Sequence, residues 1–229
     1  MLPRAFCVAG AFILALLAWP GPGEPHLFHF ANVRSQETQV ARDFRLIKEL
    51  TQWGRKDFDL AGKVYRGELR LRERKPSEPG YLLKADYQVT VRVPPLKALV
   101  RSTGDRLGTS LDAVIEAALD RRDADRVETA FRKIFYVQIQ ELLAALERRL
   151  VDAQAAEMIF GVLADYLFTS YEVFLALNHP RVHGQVKDAL EHLREALPRA
   201  GAAKSASPGE FGRWRHRLER LLASVTPMR

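Results

Sequence analysis

Residues 153–177, AQAAEMIFGVLADYLFTSYEVFLAL, decide the fold. Met158, Ile159, Phe160, Leu163, Leu167, Phe168, Val173, Phe174 and Leu177 recur at helical spacing and leave almost no polar side. Glu157, Gly161, Asp165, Thr169 and Glu172 form the one narrow stripe expected to meet solvent. A helix that is apolar on nearly every side has to be covered, so it belongs in the middle of a helical bundle.

The neighbouring segments supply the cover. Residues 124–150 predict a long helix with Val127, Phe131, Ile134, Phe135, Leu142, Leu146 and Leu150 on its apolar face. Asn178-His179-Pro180 marks a turn, and residues 181–197 predict a shorter helix. Thr109 or Ser110 can cap a helix running to Arg121, and Pro94-Pro95 leads into another at Leu96–Val100. Val33, Val40, Phe44, Ile47 and Leu50 follow helical spacing up to Trp53. Short connections make the bundle antiparallel, and the fold class is mainly α.

Residues 63–93 admit a small β-hairpin. Tyr65, Leu69 and Leu71 alternate with charged residues, as do Tyr87, Val89, Val91 and Val93 with polar ones, around the turn chemistry of Lys75–Gly80. Gly67 in mid-element leans toward a strand. A competing reading makes residues 57–72 helical. Trp53-Gly-Arg-Lys-Asp-Phe-Asp59 with Val64-Tyr-Arg66 matches Leu119-Asp-Arg-Arg-Asp-Ala-Asp125 with Ala130-Phe-Arg132, at a constant offset of 66 residues.

Residues 1–23 read as a bacterial-type secretory signal. Arg4 precedes the apolar run Cys7–Trp19, which Pro20-Gly-Pro-Gly23 ends. Thirteen helical residues rise only about 20 Å, short of a bilayer core of roughly 30 Å. Export places the protein in the periplasm or outside the cell, with an uncleaved amino-terminal anchor as the alternative. Cys7 lies at the start of the run, where a lipidation site would not be. The remaining chain, divided as 24–100, 101–197, a small-residue linker 198–210 and a last helix 211–229, contains no cysteine.

Across 229 residues, 35 Lys and Arg against 28 Asp and Glu give a net charge of +7. A 47% apolar fraction excludes a wholly disordered chain, and 28% charged residues exclude a polytopic membrane protein. One cysteine excludes a disulfide framework and a Cys-rich metal site. The charge is unevenly spread. Residues 24–101 carry 16 basic and 10 acidic groups, residues 102–200 carry 12 and 16, and residues 201–229 carry 6 and 2. An acidic body therefore lies between basic ends.

Chemistry-bearing patterns are sparse. Gly-x-Ser-x-Gly, His-Glu-x-x-His and phosphate-binding glycine loops are absent, as is Cys-x-x-Cys-His for covalent haem. The chain reads as a non-enzyme with no cofactor. His179 and His183 are four residues apart, and an antiparallel return can bring Glu172, with Asp165 one heptad before it, to His183. These four are the candidate metal ligands, although Pro180 makes His179 a cap or turn residue. His192-Leu-Arg-Glu195 has a His-x-x-Glu spacing that resembles one in periplasmic imelysin-like iron-uptake proteins, but the flanking residues do not extend it.

The last helix is the sharpest amphipathic signal. Phe211, Trp214, Leu218, Leu221, Leu222 and Val225 share one face, and Arg213, Arg215, Arg217, Glu219 and Arg220 the other. It either docks its apolar stripe on the body or meets an anionic membrane or a partner groove. The candidate contact residues are Arg213, Trp214, Arg215, Arg217, Leu218 and Arg220. The expected function is an exported accessory protein that recognises a protein or envelope partner. Metal handling (or redox companionship) and anionic-membrane binding are the alternatives, and nucleic acid is excluded by export.

Overall fold

The structure is a computed structural model that describes residues 38–52, 56–68, 70–73, 83–86, 96–198 and 207–228. The described chain is mainly helical. The expected secretory signal at 1–23, residues 199–206 of the expected linker and the expected turn at 75–80 lie outside the described residues.

Helix α1, Gln39–Gln52, buries Val40, Phe44 and Ile47 at helical spacing. Helix α2, Phe58–Arg66, starts where the Asp57 side chain accepts the Leu60 N–H at 2.9 Å. It stops at Gly67, whose φ of 74° is left-handed. There the Gly67 and Glu68 N–H groups return to the Val64 and Lys63 carbonyls, closing the helix end. Residues 63–66 are thus helical, and the expected strand from 63 is corrected. Gly67 is a helix stop, not a strand residue. Two four-residue strands follow, β1 (Arg70–Glu73) and β2 (Leu83–Asp86), paired antiparallel with Arg70 opposite Asp86. Residues 87–93 lie outside the described residues.

Helix α3 is Leu96–Leu107, α4 is Leu111–Asp120 and α5 is Ala124–Arg148. The junction before α5 repeats the one before α2. Lys56 and Arg122 both adopt positive φ, 49° and 57°. Each is followed by an aspartate, Asp57 or Asp123, that accepts an N–H three residues on, from Leu60 or Arg126. The 66-residue offset in sequence therefore has a local structural counterpart. Tyr65 and Phe131, also 66 apart, are both fully buried and meet edge to face at 6.1 Å.

Helix α6, Ala153–Leu167, passes through a π turn, Phe168–Glu172, into α7, Val173–Asn178. The run Ala153–Asn178 is long and apolar enough to cross a membrane, yet 72% of its most apolar window is buried within the protein. Most of its apolar surface is covered by packing, with Val173 and Leu177 of α7 left exposed. Helix α8, Pro180–Glu195, has His179 as N-cap and Pro180 at its first position. Helix α9 is Pro208–Val225, beginning three residues before the amphipathic pattern.

The chain divides into two compact units. One holds Gln39–Val137, Thr169–Tyr171 and the residues from Thr226. Phe44 lies 4.6 Å from Phe131 and 5.0 Å from Phe135, ring centre to ring centre, at its core. In the same unit the Tyr171 hydroxyl donates to the Arg132 carbonyl at 3.2 Å and pairs with the Thr226 hydroxyl at 2.7 Å. The other unit holds Thr38, Gln138–Phe168 and Glu172–Val225. Phe160, Leu163, Leu190, Leu193, Phe211, Leu218 and Leu222 are all buried there, and α9 lies along α8.

Candidate functional site

The histidines and carboxylates singled out as metal ligands part company. His183 Nε2 lies 3.0 Å from Glu172 Oε1, so the turn from α7 into α8 brings this pair together. The nitrogen is buried and its approach lacks hydrogen-bond alignment, leaving a short contact rather than a well-formed bond. His179 is elsewhere, 5.2 Å from the Phe174 ring as it caps α8.

Asp165 is elsewhere too. It is only 1% exposed, and its Oδ2 accepts the Thr38 N–H at 3.3 Å. The expected solvent stripe fails at Gly161 and Asp165, which are both buried. The π turn gives the physical reason Asp165 and Glu172 diverge. A wider turn rotates every later side chain back from the α-helical register, so a seven-residue spacing across it no longer means one face. Among the described residues no group of three or more His, Cys, Asp or Glu side chains is placed to hold a metal ion.

The last helix carries the better-developed surface. Phe211, Leu218, Leu222 and Val225 are buried, so its apolar stripe is spent within the fold. Leu218, expected among the contact residues, is fully buried and is corrected to a core residue. Arg215 is also drawn inward. It is an ion-pair partner of Glu147 and holds Glu219 at 2.9 Å. Arg213 and Arg220 are exposed, and His216 between them is 72% exposed along its side chain. Arg213, His216 and Arg220, three and four residues apart, form a basic ridge facing solvent, and Arg217, 41% exposed, lies at its edge.

Beside the ridge, Trp214 stacks on His192 of α8, with ring centres 4.0 Å apart and planes at 15°. Arg217 sits 4.9 Å from the Trp214 ring centre and 3.4 Å from Asp188. Sequence reasoning missed Asp188, His192 and His216 as parts of this surface. Asp188, His192 and Glu195 do share a helix face by spacing, which was a readable sign. The stack across to Trp214 had none, because nothing in either helix alone fixes how the two pack.

No family model, no curated protein and no solved structure matches this chain.

Proposed function

We propose that this chain is an exported, non-enzymatic helical interaction protein that recognises an acidic protein or envelope partner through the basic ridge of α9. Its architecture in this reading is an antiparallel bundle with a short hairpin near its amino-terminal end. The observation that carries the proposal is the orientation of α9. Its apolar stripe is buried while Arg213, His216 and Arg220 face outward. Fixed charges on a docked helix suit electrostatic recognition, which steers and selects partners without an apolar insertion. The same burial argues against membrane insertion, because Phe211, Leu218 and Leu222 are unavailable to lipid.

The test is co-sedimentation of the purified protein with isolated envelope fractions, comparing the parent with Arg213→Glu/Arg220→Glu. Reversing two charges should weaken binding by roughly tenfold or more, at about 1 kcal/mol for each basic residue near an anionic surface. Equal binding by both proteins would sink the proposal.

A metal-handling reading keeps one supporting observation, the 3.0 Å approach of His183 to Glu172. Metal analysis of the purified protein decides it. A stoichiometric metal that His183→Ala loses would favour this second reading.

A further inference from the structure

His192 stands where two carboxylates, an indole and a guanidinium meet. Its Nε2 faces Asp188 Oδ1 at 3.4 Å and its Nδ1 faces Glu195 Oε2 at 3.1 Å. Both carboxylates belong to its own helix, α8. From α9 come Trp214, stacked on the imidazole, and Arg217. The second oxygen of Asp188 is 3.4 Å from Arg217 Nη2, so one carboxylate serves both the histidine and the arginine. His192 and Asp188 side chains are 42% and 44% exposed, which leaves the ring open to proton exchange with solvent.

A neutral imidazole has a single N–H and donates to only one of its two carboxylates. The imidazolium donates to both and sets a positive charge against the indole face. It also puts a second cation on the carboxylate that Arg217 already uses. Arg217 is then held less firmly, both because Asp188 is shared and because two like charges lie beside one ring.

We propose that His192 is a pH-responsive clasp: on protonation it takes the larger share of Asp188 and releases Arg217 to the basic ridge. Arg217 lies four residues from Arg213 and three from Arg220, so a released side chain joins their charge. Acidification therefore makes the ridge a stronger anion-binding surface, and neutral pH folds one arginine back onto α8. The consequence for binding rests on the ridge being the recognition surface. The clasp itself does not.

Two readouts keep these apart. In a Trp19→Phe/Trp53→Phe protein Trp214 is the remaining tryptophan, and an imidazolium in contact with an indole quenches its emission. Between pH 8 and pH 5 that emission should fall in one step. The step should vanish in His192→Gln and persist in His216→Asn. Persistence in His192→Gln, or loss only in His216→Asn, would overturn the clasp.

The second readout is binding to phosphatidylglycerol vesicles at constant ionic strength in the His216→Asn background. Binding should tighten roughly two- to fivefold from pH 7.5 to 5.5, the worth of one basic residue at an anionic surface. Adding His192→Gln or Arg217→Gln should remove that gain. A gain that survives both substitutions overturns the release of Arg217. An intact emission step with no vesicle binding at any pH counts for the clasp and against the ridge.

Discussion

Tyr65, Tyr166 and Tyr171 are buried phenols, and each is pushed well above the ordinary tyrosine value, first of all by burial. For Tyr65 the hydrogen bond it donates to Asp112 at 2.9 Å adds to the effect, since a phenolate there would face a carboxylate. The unfolded chain gives up these protons near pH 10, before the folded chain does. The contribution of these phenols to stability is therefore fully present below about pH 10 and is lost as the pH rises above it. Absorbance titration of phenolate, run alongside circular dichroism, should show at least three of the six tyrosines ionising only as helix is lost. Ionisation of all six while the helical signal stays intact would contradict this burial. None of this was legible in the sequence, because a tyrosine in a helix face looks alike whether its hydroxyl reaches solvent or a buried partner.

At the scale of elements, helix ends were more legible than they first appear. Gly67 carried the stop signal of α2 in plain view, and Gly108, with φ of 63°, closes α3 in the same way. The strand reading took Gly67 as an interior residue because alternation in charged, Arg-rich segments resembles a helix face sampled too briefly. The third such end lacks a glycine. Arg122 closes α4 with φ of 57°, and Asp123 N–H returns to the Ala118 carbonyl at 2.9 Å. A side chain in this conformation costs about 1 kcal/mol or more that glycine does not incur. Arg122→Gly should therefore raise stability by roughly 0.5–1 kcal/mol in urea unfolding, a reversal of the usual effect of glycine near a helix. Destabilisation by the same substitution would show that the arginine side chain contributes more than its backbone strain costs. The π turn at Phe168–Glu172 is the opposite case. Its residues, Phe-Thr-Ser-Tyr-Glu, differ little from those of an ordinary helix, so the altered register and the parting of Asp165 from Glu172 had no local sign.

At the scale of the molecule, periodicity sufficed for a mainly helical protein and for the burial of α6, because an apolar residue at nearly every turn has one physical outcome. The charge count sufficed for a basic carboxy-terminal segment beside an acidic body. What it could not give was direction. The choice between docking and membrane contact for α9 depended on whether Leu218 and Leu222 found partners in the fold, and both are fully buried. The account of function follows from that orientation: a helix built into its unit, with Arg213, His216 and Arg220 outward and a histidine–tryptophan stack at its edge. Amide hydrogen exchange across Phe211–Val225 in the full-length protein is its most direct test. The account predicts slow exchange through this helix, comparable to Ala189–Leu193 of α8, against which it lies. Rapid exchange of Phe211–Val225 while α8 remains protected would mean a free amphipathic tether, and would contradict the docked basic ridge.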